Sequence, residues 1–120
     1  MLRLISATPS PYARKVRIAL IEKNIPFELI TEVPWNQGAI TEQHNPLAKL
    51  PVLILEDGSS IFDSRFILEY LELIYPQTPL LFSEVPERLM AKKLEVLADG
   101  ICDAVVLVFF ERMRGDNASA

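Results

Sequence analysis

Two short stretches of this 120-residue chain place polar side chains where a helix begins, and both have the residue types to hold a charged ligand. In the first, Ser10-Pro11-Tyr12-Ala13 leads into the basic run Arg14-Lys15-Val16-Arg17. A hydroxyl and a methyl stand where a Cys-X-X-Cys redox turn would carry its two thiols, so disulfide exchange through the turn's own sulfur is closed to it. What remains is an O–H at the positive end of a helix, which either caps that helix or donates to an anion. In the second stretch, Phe62-Asp63-Ser64-Arg65-Phe66, the Asp63 carboxylate suits an ammonium, while the Ser64 hydroxyl and free helix N–H groups suit a carboxylate. A zwitterion fits this pair; an isolated Asp-Ser also serves as a plain N-cap. Between the two lies Lys49, two residues before Pro51. Metal chemistry finds little support: His44, the only histidine, has no ligand-type neighbours at metal spacing and is read as a loop residue. Asp99 and Asp103, four apart, lack a third ligand, and no metal is expected. Cys102 reads as a small buried hydrophobe and Trp35 as a packing residue.

Composition narrows the class. Half of the residues are hydrophobic, enough for one core of ordinary domain size. Sixteen acidic against twelve basic residues leave a net charge of -4 with the basic ones scattered, which argues against a nucleic-acid partner. Cys102 is the only cysteine, so neither an intramolecular disulfide nor a cysteine metal site can form, and a reducing, cytoplasmic setting is expected. The N-terminus lacks an h-region, and the longest later apolar run, "AVVLVFF" at 104–110, is far short of a bilayer span, so no membrane partner is expected.

The elements that must position these residues follow from period and punctuation. "LRLISA" (2–7) predicts a strand, and residues 12–24 predict a helix with Pro11 at its start and a stripe of Val16, Ala19, Leu20 and Lys23. "PFELITEV" predicts a second strand stopped by Pro34, and residues 35–45 an irregular loop with at most a short helix. Residues 51–62 carry a hairpin signal around Asp57-Gly58. Residues 63–75 predict a helix with Phe66, Ile67, Tyr70, Leu71 and Ile74 on one stripe, ended by Pro76. A βαβ unit followed by ββα is the order of a thioredoxin-like α/β domain, here spanning residues 1–77. Residues 78–86, rich in proline, read as a linker. Residues 87–120 read as one long helix with Met90, Leu94, Leu97, Ile101, Ala104 and Val108 near the heptad interval, passing through Gly100. Its second half is apolar on nearly every face and must be covered, by neighbouring chains or by further helices; "AVVLVFF" as a strand is the alternative.

Three separated motifs, "SPYARKV" (10–16), "NPLAKLPVL" (45–53) and "FDSRFILEYL" (62–71), together resemble the N-terminal domain of cytosolic glutathione transferases, in particular bacterial members of serine type. The resemblance continues into "LADGICDA", which is similar to the first helix of the family's all-helical second domain, here incomplete.

That resemblance implies a function. Glutathione as co-substrate brings its own thiol, so the domain needs only a donor that favours the thiolate, and Ser10 is the implied catalytic donor, with Thr8 its nearby competitor. The Leu50-Pro51 bond is implied to be cis, the Val52 N–H and C=O to pair with the cysteinyl unit, and Lys49 to meet the glycyl carboxylate, to which a residue near His44 also reaches in some relatives. Asp63 and Ser64 are implied to hold the γ-glutamyl end. Most relatives have Glu where Asp63 stands. Arg65 is implied to face a partner subunit in a homodimer. The expected activity is transfer of glutathione to a small electrophile, in detoxification; a non-catalytic glutathione-binding or protein-interaction module is the alternative, and a thiol–disulfide oxidoreductase lacks its cysteine.

Overall fold

The computed structural model describes residues 1–7, 10–31, 50–81 and 83–113. Four strands, β1 (Leu2–Ser6), β2 (Phe27–Thr31), β3 (Val52–Ile54) and β4 (Ser60–Phe62), form one sheet in the order β2-β1-β3-β4. β1 runs parallel to β2 and antiparallel to β3, and β3 runs antiparallel to β4. Helix α1 (Pro11–Glu22) makes the crossover between the parallel pair, α2 (Ser64–Ile74) follows β4, and α3 (Val85–Met113) comes last. The chain divides into two compact units, Met1–Leu80 and Leu81–Ala120. The expected loop over 35–45 lies outside the described residues, as do Thr8, Trp35, His44 and Lys49.

Alternation along β1 sorts its side chains onto two faces. Leu2 and Leu4, with Leu53 of β3, meet Val16, Ala19 and Leu20 of α1 and Ile67 and Leu71 of α2 in the larger core cluster. Ile5, Val52 and Ile54 form the second cluster, with Ile30, Leu50 and Phe62 packed against it. The stripe expected on α1 is the buried one, Lys23 included. Along α2 the outcome differs: Ile67 and Leu71 are fully buried and Tyr70 half-buried, but Phe66 and Ile74 are more than half exposed. The sheet covers only a narrow arc of this helix, the one that carries Ser64, Ile67 and Leu71, and Phe66 falls beside it.

Turn chemistry agrees with the hairpin signal. Gly58 has φ 88, which a residue without Cβ adopts freely, and its N–H donates to the Leu55 carbonyl at 3.0 Å. The Asp57 carboxylate accepts from the backbone N–H and hydroxyl of Ser59, the hydroxyl bond first among the causes that hold its carboxyl below the usual carboxylate range.

Lys23 closes the far end of the first unit. Its ammonium donates to the Tyr75 and Thr78 carbonyls, each at 2.9 Å, and lies 2.8 Å from Glu72 Oε1, with both side chains almost wholly buried. Those acceptors match the three donors of an ammonium. Glu72 in turn accepts from the Leu80 N–H. A buried cation fully paired in this way ties the C-terminal ends of α1 and α2 to the turn at 75–80.

In the second unit the apolar run at 104–110 is helical, and α3 extends unbroken through Gly100, around which an added Cβ would meet nothing. The helix begins at Val85-Pro86 rather than at 87, since proline is well suited to a first helical turn. Cys102 is only half-buried, not the buried hydrophobe expected. Among the described residues no helix is long and apolar enough to cross a membrane.

Candidate functional site

Register across the sheet decides which residues can meet. Ile5, Val52 and Phe62 lie side by side on β1, β3 and β4. The chain leaves β1 beyond Ser6 toward Ser10, enters β3 through Leu50-Pro51, and leaves β4 at Asp63. Ser10, the Leu50-Pro51 peptide and Asp63, one from each motif, thus stand beyond the same end of the sheet. Strands are about 4.8 Å apart, so β1 to β4 spans roughly 10 Å. A fully extended tripeptide is about 10 Å long.

Ser10 is fixed from both sides. Its N–H donates to the Ala7 carbonyl at 3.0 Å and its carbonyl accepts from Arg14 N–H at 3.1 Å. As the N-cap of α1, its side chain accepts from the Ala13 N–H at 3.1 Å. This bond uses a lone pair of the hydroxyl and leaves its O–H to donate. No acidic residue stands in the first turn of α1, so no side chain there offsets the positive end of the helix. Capping and donation to an anion are therefore compatible: the cap orients the oxygen and the proton points elsewhere.

The Leu50-Pro51 peptide is cis. Val52 sits within the ladder, opposite Ile5 on one side and Phe62 on the other, and is fully buried. A strand on either side leaves its peptide groups no open edge, which corrects the expectation that Val52 pairs with a ligand. Leu50 lies before the first ladder pair and is half-buried, so the backbone beside the cis proline that stands outside the ladder is Leu50's.

Asp63 has φ 71, an unusual conformation for a residue with a Cβ, and caps α2 by accepting from the Arg65 N–H at 2.9 Å. The Arg65 guanidinium folds back on the same carboxylate, Nε to Oδ1 at 3.3 Å and Nη2 to Oδ2 at 3.1 Å. The hydrogen bond from the Arg65 side chain is the main cause holding the Asp63 carboxyl below the usual carboxylate range, against a smaller opposing effect of burial. Both side chains remain open to solvent, Asp63 at 43% and Arg65 at 64%. Ser64 is the first residue of α2, where its N–H is one of the helix-end donors, and its side chain is almost wholly buried. Beside Asp63 an open concavity of about 390 Å³ is lined by Ser60, Ile61, Phe62, Asp63 and Phe66.

Of the residues singled out in the sequence, the structure places Ser10, Leu50, Pro51, Val52, Asp63 and Ser64 at one end of the sheet, while Lys49 falls outside the described residues. It missed the Asp63–Arg65 fork and the place of Phe66 on the concavity. The signals were present: a cation two residues after an acidic cap, and a phenylalanine just before the buried Ile67.

Residues 9–74 match the family model described as the glutathione S-transferase N-terminal domain. The chain is 42% identical over 113 residues to the GST-like protein YibF of Escherichia coli K12, covering 94% of this chain and 56% of that protein. Among solved structures it is similar to a glutathione S-transferase of Methylobacterium radiotolerans in complex with glutathione sulfonate, at 59% identity and a TM-score of 0.94, covering 99% of this chain and 56% of that one. A second, from Methylobacillus flagellatus with GSH bound, superposes with a TM-score of 0.90 at 38% identity, covering 100% of this chain and 59% of that one. The chain thus spans little more than half the length of these relatives. The thioredoxin-like sheet, the cis proline before β3 and the match over residues 9–74 have one reading: this chain belongs to the glutathione S-transferase family.

Proposed function

We propose that this chain binds glutathione along the end of the sheet and activates its thiol for transfer to a small electrophile. The observation that carries the reading is the row Ile5–Val52–Phe62, beyond which Ser10, the cis Leu50-Pro51 peptide and Asp63 all stand. The assignments follow the chemistry of the tripeptide. The Asp63 carboxylate takes the γ-glutamyl ammonium, and the Ser64 hydroxyl with the N-terminal end of α2 takes the adjoining carboxylate. The Leu50 peptide, which stands outside the ladder beside Pro51 and the buried Val52, pairs with the cysteinyl unit. Lys49 meets the glycyl carboxylate. That two similar glutathione S-transferases were solved with glutathione sulfonate and with GSH supports the ligand.

With both ends held, the cysteinyl sulfur lies toward Ser10. The Ser10 O–H donates to the thiolate, and the uncompensated N-terminal end of α1 adds to the same preference. Each unit by which the thiol pKa falls needs about 1.4 kcal/mol of preference for the charged form, within the reach of one charge-assisted hydrogen bond. The thiolate then attacks the electrophilic centre, forming the carbon–sulfur bond as a leaving group departs with its electron pair or a conjugated acceptor takes up the charge. No metal enters this chemistry.

Around this site, residues 1–77 act as the glutathione-binding domain, the proline-rich stretch that follows as a linker and α3 (Val85–Met113) as the first helix of an all-helical domain. The protein works as a homodimer in the cytoplasm, in detoxification. Calorimetric titration with reduced glutathione tests binding, and conjugation of a small aryl halide tests transfer. Absence of any heat of binding at millimolar glutathione would refute the first step; binding without conjugation would refute the second.

A further inference from the structure

Helix α1 carries its charges against its own dipole. Arg14, Lys15 and Arg17 stand in its first two turns and Glu22 is its last residue, whereas acids at the start and bases at the end would stabilise it. A local rule broken without structural gain points to a functional constraint, and this helix begins at Ser10. Arg14 is the cation that shares the face of that start. Its N–H donates to the Ser10 carbonyl at 3.1 Å, which sets it one turn above Ser10 on the same face. Helical side chains lean toward the N-terminus, so the Arg14 guanidinium lies over the turn that Ser10 opens. Arg14 is exposed, and among the described residues no carboxylate pairs with it. Lys15 lies on a different face, and Arg17 shares the face but stands about 10 Å further along the axis. From α2 the site faces Asp63 and Arg65, which pair with each other at 3.1 Å; among the described residues β1, β3 and β4 bring no charged side chain to this end.

We propose that Arg14 is an electrostatic partner of Ser10, which makes no bond to glutathione and favours the anionic form of the bound sulfur through the field it adds at the start of α1. This rests on the glutathione reading proposed above. The reversed charge order then has a purpose: the helix gives up some stability at its start and the thiolate gains a neighbouring cation. Function and stability therefore respond to the charge at position 14 with opposite signs, which a scaffold role does not produce.

The experiment follows the thiolate absorbance of bound glutathione against pH at low ionic strength in the wild type, Arg14→Lys, Arg14→Gln and Arg14→Glu, with Ser10→Ala alongside. A unit charge about a turn away through a water-like dielectric moves a titration by about half a unit. The bound thiol should therefore titrate about half a unit higher in Arg14→Gln, about one unit higher in Arg14→Glu and unchanged in Arg14→Lys, and the spread should shrink in high salt. Below the thiol's pKa, conjugation should slow about threefold and tenfold in Gln and Glu, with glutathione affinity there altered by less than about twofold. Thermal midpoints of both variants should hold or rise. Coincident titrations across the Arg14 series would overturn the proposal, as would affinity lost with the titration unmoved, or midpoints that fall together with the rate. A wild type that binds no glutathione overturns the proposal together with the reading beneath it; a thiol that responds to Ser10→Ala but not to the charge at position 14 upholds the reading and overturns the proposal alone.

Discussion

Helices α2 and α3 come from equally convincing helical patterns and end in opposite situations. α2 lays Ser64, Ile67 and Leu71 against the sheet and is anchored at its start by Asp63 and at its end by the Lys23–Glu72 pair. α3 keeps Leu89, Leu94, Val96, Leu97, Ile101 and Leu107 each more than half exposed within the chain. Apolar spacing thus predicts a helix in both, but it predicts a buried face only where a sheet stands ready to receive one. The first unit buries its own apolar face, whereas α3 presents apolar side chains that its own unit leaves uncovered.

The largest expected effect lies at the buried clasp. Lys23→Met should cost about 3–5 kcal/mol in urea unfolding, because Glu72 is left charged and buried, and adding Glu72→Met should recover much of the loss. A core truncation comes next. Leu53→Ala should cost about 2–5 kcal/mol. In α3, Leu97→Ala should change unfolding of the first unit by less than about 0.5 kcal/mol while weakening self-association, since exposed positions contribute little to a fold. Light scattering in parallel separates the two effects: a wild type that remains a monomer of 13.6 kDa at micromolar concentration breaks the assembly side of the comparison.

Ser64→Ala sharpens the anchoring of α2. Asp63, not Ser64, is the cap, so the fold should hold while glutathione binding weakens by about 1.5–3 kcal/mol through lost bonds to a charged group. Unchanged affinity removes Ser64 from the site. The smallest effect is in acid. Because the folded Asp63 pKa lies below its ordinary 3.8, its contribution is present above that pH and is lost as pH falls through the folded value. Unfolding midpoints of the wild type should therefore drop more steeply than those of Asp63→Asn below pH 3.8.

Much of the first unit was legible because its signals are local. The Pro11 start, the Val16/Ala19/Leu20/Lys23 stripe and the Asp57-Gly58 turn each act within a few residues, and each appears as expected. What escaped depends on partners distant in sequence. Val52 looked like a free strand end until β1 and β4 closed on it from both sides. Phe66 looked like core because its spacing allowed it, but the width of the sheet decided otherwise. The fork from Arg65 to Asp63 needed a positive φ that no pattern of residue types announces.

The central claim is that the Ser10 hydroxyl stabilises the bound thiolate while also capping α1. Thiolate absorbance of enzyme-bound glutathione, followed against pH, tests it in the wild type, in Ser10→Ala and in Ser10→Thr, which keeps both the cap and the donor. The account predicts that Ser10→Ala raises the pKa of the bound thiol by about one to two units and slows conjugation at neutral pH roughly ten- to a hundredfold with little loss of glutathione affinity, while Ser10→Thr restores the wild-type curve. Coincident titration curves for the wild type and Ser10→Ala would contradict it and leave Ser10 as a helix cap alone.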